Sequence, residues 1–298
     1  MALLNVPFVK MHGLGNDFVM MKASDLPTVE LEALSRLAKI VCDRHYGIGG
    51  DGLIVAAPPT ESGFDTRFIY LNGDGSVAEM CGNGIRCFAR YVKQQGLLNT
   101  STFKVQTLAG LIQPELLSDG QVRVNMGTPI LAASEVPFNQ PQYHASTRQP
   151  ARLTLNEHTL NVWPISMGNP HCIVFSDENP ALDPVVYGPH LETHPLFTAK
   201  TNVEFTSQTG ESTFKVVVWE RGCGFTLACG TGACATGVAA LLSGRAKGDT
   251  VFIDLPGGRL TIEWGGQAAH PVFMTGPAEV VFTGYLNEAW LTQALVSN

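Results

Sequence analysis

Two tetrapeptides carry the first chemical signal in this chain, Cys81-Gly82-Asn83-Gly84 and Cys229-Gly230-Thr231-Gly232. In each, a thiol stands where a loop is expected to turn into a helix, and small residues follow it. The amide N–H groups at a helix start favour a thiolate and an anionic ligand alike. One such cysteine would be an ordinary structural residue, because free Cys is usually a small buried hydrophobe. Two at matched positions, 148 residues apart, point to two thiols facing each other across one site. Opposed thiols suit the inversion of a carbon acid. One base removes the proton, an acid on the opposite face supplies a new one, and the reverse turnover resets the pair. Helix N-termini aimed at the neighbouring carboxylate would stabilise the carbanionic charge.

Other polar residues keep a fixed distance from these thiols. Asn72 lies nine positions before Cys81 and Glu220 nine before Cys229, each closing a β-like run, and Arg221 follows Glu220. That placement favours a substrate or thiol-tuning role for Glu220 and Arg221 over a surface ion pair. Asn16, Asn169 and Asn202 taken singly would be turn residues, and His171, after Asn-Pro, reads as a turn or supporting residue. Cys42, Cys87, Cys172, Cys223 and Cys234 take the structural reading, as do His12 and Asp17. Seven cysteines without a Cys-x-x-Cys pair fit neither a zinc ribbon nor a disulfide framework. Gly47–Gly52 matches G-x-G-x-x-G but follows a helix and precedes a strand, the reverse of a dinucleotide fold, so it reads as a turn. Neither Cys-Gly-x-Gly segment continues into a P-loop, and no lysine sits in a motif that suggests a Schiff base.

The elements that must hold these residues come in two matched sets. Besides the two thiol motifs, Leu-x-Gly turns at Leu108–Gly110 and Leu255–Gly257 and Gly-Asn pairs at Gly15-Asn16 and Gly168-Asn169 recur in the same order. Half-chain spacing of this kind indicates a duplicated domain rather than a short-period solenoid. Helices are expected over Glu30–Cys42, with apolar residues at 31, 34, 37, 38 and 41, over Gly82–Gln95 and over Gly230–Gly244. Short strands are expected at Phe8–Lys10, Leu53–Ala56, Arg67–Leu71, Phe103–Thr107 and Val122–Asn125. Strands outnumber helices without alternating one for one, which favours α+β. Pro129–Arg152, rich in Pro, Ser, Gln and Asn, reads as the inter-domain crossing.

The 298 residues allow about two domains. At 45% apolar and 15% charged the composition is that of a globular protein. A formal charge of −7 argues against a nucleic-acid partner, which would need a basic face. No 18-residue apolar stretch occurs, and no signal-peptide order is seen at the start, so a cytoplasmic protein with no membrane partner is expected.

Taken together, His12–Phe18, Asn72 through Met80–Arg86, Ser166–His171, Thr201–Phe205 and Glu220 through Ala228–Cys234 closely resemble the diaminopimelate epimerase family, in the family's order and over nearly the whole chain. The resemblance implies a cofactor-independent, metal-independent isomerase that interconverts LL- and meso-2,6-diaminopimelate for lysine and peptidoglycan precursors. It implies an α+β fold of two pseudo-symmetric domains, each a mostly antiparallel sheet wrapped around a central helix, with the site in the cleft between them. The halves would be residues 1–128 plus 277–298, carrying the first catalytic Cys, and residues 129–276, carrying the second. By position, Cys81 and Cys229 resemble the catalytic acid/base pair. Asn16, Asn72, Asn169, Asn202, Glu220 and Arg221 resemble substrate contacts, and the backbones of Gly82-Asn83 and Gly230-Thr231 a carboxylate cradle. His171 and Glu220 match positions that tune the thiols. Some members carry Gln where this chain has Gly52, so that contact has no side chain here. A small-molecule substrate and, on base rates, a homodimer complete the expectation.

Overall fold

A computed structural model describes residues 5–140, 142–155, 157–179 and 182–296. The chain forms two compact units, one running to Val124 and resuming at Gly276, the other spanning Asn125–Thr275. In the first, the chain runs β1 (Asn5–Gly13), β2 (Asn16–Lys22), α1 (Leu31–Val41), β3 (Gly52–Ala57), β4 (Thr66–Asn72), β5 (Val77–Ala78), α2 (Gly82–Gln94), β6 (Val105–Thr107) and β7 (Gly110–Ile112). A hairpin of β8 (Pro114–Leu116) and β9 (Val122–Asn125) follows. The sheet order is β1-β2-β3-β4-β6-β7, with β5 on β4. All neighbours are antiparallel except β2–β3 and β4–β6.

The apolar runs of β3 and β4 are continuous because both faces of this sheet are covered. Leu53, Val55, Ile69 and Leu71 pack with Leu34, Leu37, Ala38 and Val41 of α1. Alternate residues face α2 instead: Phe68 meets Phe88 edge to face, 5.2 Å between ring centres. Ten of the thirteen residues of α2 are buried, so this helix forms the centre of its unit. Leu31, at the start of the α1 stripe, is exposed.

The second unit repeats this plan. Its elements are β10 (Ala151–Leu155), β11 (His158–Ser166), β12 (Pro170–Phe175), α3 (Pro184–Glu192), β13 (Asn202–Gly210), β14 (Thr213–Glu220), β15 (Gly224–Thr226), α4 (Gly230–Leu242), β16 (Thr250–Leu255), β17 (Gly258–Trp264) and β18 (Val272–Gly276). The order is β10-β11-β12-β13-β14-β16-β17-β18, with β15 on β14. The parallel joins, β12–β13 and β14–β16, fall at the places of the two in the first unit. Eleven of thirteen α4 residues are buried. The chain then returns to the first unit as β19 (Glu279–Asn287), antiparallel to β1, and α5 (Glu288–Val296). Both sheets are therefore mostly antiparallel around a central helix, the α+β plan expected from the sequence.

Details differ from the sequence expectations. β1 is nine residues long because β2 and β19 pair with it on both sides. β6 begins only at Val105, although Phe103 is buried. α4 stops at Leu242, with Gly244 taking the left-handed conformation that ends helices. Much of Pro129–Arg152 is folded onto the second unit rather than crossing as an open linker. Leu131, Val136, Phe138 and Tyr143 are buried, and Phe138 stacks on Phe197 at 4.9 Å. Among the described residues, no helix is long and apolar enough to cross a membrane.

Candidate active site

Cys81 is the N-cap of α2, with extended backbone (φ −141°, ψ 121°), and its Sγ accepts the Gly84 amide at 3.4 Å. Gly82 and Asn83 supply the first helical amides, the groups that a helix start leaves free for a ligand. Asn16, at the start of β2, reaches the same place. Its Nδ2 donates to Asp51 Oδ2 at 2.7 Å, which leaves Oδ1 for Asn83 Nδ2 at 3.2 Å and the Cys81 thiol at 3.6 Å. Asn83 Oδ1 accepts from Arg86, a fully buried guanidinium that also donates to the carbonyls of Gly82 and Pro277. Both amides thus have their polarity set by a charged neighbour.

Asp51 is held in turn by Arg44, at 2.8 Å, and Arg44 and Lys10 both pair with Asp17. Burial alone would raise the Asp17 carboxyl, but bonds from Arg44 and Lys10 outweigh it and hold the pKa down to about 2. Asn72 ends β4 and donates to Ser76 Oγ at 2.9 Å, so it lies outside the Asn16–Cys81–Asn83 network. Opposite it, Gly52 has no room for a side chain: a Cβ would sit 2.5 Å from the Tyr70 ring and 2.6 Å from the Leu71 carbonyl oxygen.

In the second unit Cys229 is the N-cap of α4, again extended (φ −117°, ψ 111°) and 5% exposed. Gly230 and Thr231 open the helix, and Thr231 Oγ1 lies 3.5 Å from Sγ. Burial pushes the Cys229 thiol well above its ordinary range, and the Glu220 and Glu204 carboxylates add to the effect. The Glu220 carboxyl is itself raised by burial, against hydrogen bonds from the Thr226 hydroxyl and the Cys229 thiol. His171 lies in β12, fully buried, not in a turn: the Asn-Pro that precedes it is the strand entry, and the β12–β13 pairing encloses the ring. Its Nδ1 is 2.7 Å from Glu204 Oε1 and its Nε2 3.1 Å from Asn169 Oδ1. Asn202 begins β13, accepts the Arg221 amide at 2.9 Å and donates to the Pro170 carbonyl. The exposed Arg221 guanidinium donates to the Ala199 carbonyl.

The fold thus gathers Asn16, Asn83 and Cys81 in one unit. In the other it gathers Cys229 with Glu220 and Thr231, His171 with Asn169, and Asn202 with the Arg221 backbone. Three carboxylates that sequence reasoning passed over hold these groups: Asp51, Glu204 and Glu192. Glu192 accepts from Trp219 Nε1 at 2.8 Å and the Gly222 amide at 3.1 Å, bracketing the Glu220–Arg221 turn. Glu204 carries a weak sequence signal: two residues after Asn202 on a strand, it must share that residue's face.

A family model for diaminopimelate epimerase matches residues 8–132 and 164–281. The diaminopimelate epimerase of Heliobacterium modesticaldum is 45% identical, covering 94% of this chain and 99% of that protein. That of Desulfitobacterium hafniense is 47% identical, covering 94% and 98%. Among solved structures, a hydroxyproline epimerase from Agrobacterium vitis aligns with a TM-score of 0.67 at 15% identity, covering 95% of this chain and 92% of that one. A probable proline racemase from Agrobacterium radiobacter gives 0.68 at 14%, covering 97% and 95%, and both are likenesses of fold. With the family model and relatives of this identity matched over most of its length, the chain belongs to the diaminopimelate epimerase family.

Proposed function

We propose that the chain interconverts LL- and meso-2,6-diaminopimelate in lysine biosynthesis by proton transfer between Cys81 and Cys229. The observation that carries this reading is the duplicated placement of the two thiols, each the N-cap of the buried central helix of its own unit. One thiolate removes the α-proton, and the other thiol delivers a proton to the opposite face of the same carbon. The two exchange protonation states with each turnover. The α-carboxylate, which takes up the charge of the carbanion, is received by the amides of Gly82-Asn83 and Gly230-Thr231. Amides fixed at a helix start stabilise such charge without reorganising. Asn16, Asn72, Asn169, Asn202, Glu220 and Arg221 contact the polar substrate, Arg221 being suited to clamp a carboxylate. His171 and Glu220 tune the Cys229 side.

The protein works in the cytoplasm, a reading supported by its bacterial relatives, and as a dimer, on the frequency of twofold assemblies alone. The test is α-proton exchange followed by NMR in D₂O with reduced protein and chelator present, using LL-diaminopimelate and proline in parallel. Exchange of diaminopimelate alone, abolished in Cys81→Ala and Cys229→Ala, is the expected result. Exchange of proline instead would overturn the substrate, and exchange that survives either substitution would overturn the two-thiol mechanism.

A further inference from the structure

We propose that Glu204 is a positioning residue of the second half-site, acting through His171 on Asn169 and on the ground beside Cys229. The inference rests on the two-thiol reading. Glu204 and His171 lie on the paired parallel strands β13 and β12, where His171 is in register with Asn202 and Glu204 with Ile173. Both side chains are completely shielded from solvent and meet at 2.7 Å. In this proposal Glu204 is an ionised carboxylate, which only accepts, and the proton of this bond is assigned to Nδ1. The ring is thereby pinned, and its Nε2 is presented to Asn169 Oδ1 at 3.1 Å. Whichever way the Asn169 amide is turned, the ring it faces is set from behind by Glu204.

The same carboxylate reaches the thiol's helix. A Cβ at Gly232 would stand 2.5 Å from Glu204 Oε1 and 3.3 Å from Cys229 Sγ, so carboxylate and thiol flank one point in the first turn of α4. The helix accepts Glu204 there because residue 232 has no side chain, and its N-terminal dipole favours the negative charge. The second oxygen, Oε2, is buried without a hydrogen-bond partner. An open buried carboxylate oxygen is costly, and a carboxylate that served only to fill space would be better replaced by an apolar side chain.

The experiment is a double-mutant cycle read by α-proton exchange and epimerisation, using Glu204→Gln, His171→Asn and the pair. Glu204→Gln keeps the volume but removes the acceptor-only group that fixes the Nδ1 proton. Its expected effect is a fall in kcat of tenfold or more with KM changed less than threefold, and Glu204→Asp should recover part of the loss. In the double variant the loss should match that of His171→Asn alone, because Glu204 acts through that ring. Independent multiplicative losses, or wild-type kcat in Glu204→Gln, would overturn the proposal. Folding of the variants is bypassed by a second measurement, ¹⁵N-histidine NMR of the wild-type protein. His171 is expected to carry its proton on Nδ1, and a bare Nδ1 would overturn the proposal. If the wild-type protein exchanged no α-proton, the two-thiol reading would fail instead, a result separate from either arm.

Discussion

Cys81 and Cys229 occupy the same place in two copies of one motif, yet their surroundings differ in a way that chemistry can read. Cys81 is partly exposed and receives a backbone amide, whereas Cys229 is 5% exposed and lies beside two carboxylates. Burial and negative neighbours both disfavour a thiolate, so at neutral pH Cys229 should react slowly with iodoacetamide and gain speed as pH rises. Glu220→Gln removes one of those negative charges. It should lower the thiol's pKa and raise the alkylation rate at pH 7 several-fold, since one unit of pKa is a factor of ten in thiolate. Peptide mass spectrometry across a pH series reads both effects, and an unchanged rate in Glu220→Gln would leave burial and Glu204 as the causes. At this scale the sequence exposed the thiols and the asparagines because their spacing repeats. It hid Glu192 and Glu204, because a single carboxylate in a helix or strand reads as solvent-facing until neighbouring elements bury it, and it hid the exposed Asp51, because its partners Asn16 and Arg44 are brought to it only by the fold.

A helix N-cap does useful chemistry only if the helix cannot move, and in the first unit Arg86 anchors it. Its guanidinium, fully buried on α2, ties the Gly82 carbonyl and the Asn83 amide to Pro277, at the head of the returning segment that carries β19. Arg86→Met would fill most of the volume but leave those acceptors unpaired in the interior. Each buried acceptor left unpaired costs about 1–3 kcal/mol, which over these acceptors and for a unit of this size is roughly 10 °C in melting temperature. Exchange activity at 20 °C should fall with it, because Asn83 loses the bond that fixes its amide. Calorimetry against the wild type checks the first claim, and a loss under 1 kcal/mol would mean that Arg86 is not the anchor. The elements themselves were largely legible. The α1 stripe and both thiol-bearing helices follow from periodicity and glycine punctuation, whereas β1 reaches three times its expected length because β19, about 270 residues later, pairs with it. Long-range pairing leaves no local trace, and the burial of Phe138 and Tyr143 within a Pro- and Ser-rich stretch is equally invisible to composition.

At the scale of the molecule, duplication explains why so few motifs define so large a fold. Strand for strand, each parallel join in one unit has its counterpart in the other, and sequence landmarks with drifting offsets were enough to indicate it. The returning segment completes the equivalence, since β19 flanks β1 as β10 flanks β11, both antiparallel. β19 is the edge of its sheet, bonded to β1 on one side, and along its nine residues Val281, Phe282 and Tyr285 are 54%, 46% and 71% exposed. An edge of that length with apolar side chains open to water invites further pairing unless something covers it. A second copy related by a twofold axis would present the same strand antiparallel to the first, satisfying both rows of backbone groups at once. The wild-type protein should therefore scatter light as twice the 32.0 kDa chain mass, while Val281→Lys with Tyr285→Lys should bring it to the mass of one chain. Both positions project from an exposed edge, so the substitutions should cost the isolated fold little. A variant that keeps the doubled mass would place the dimer contact elsewhere, and a wild type already at single-chain mass would show that the edge stays open in solution.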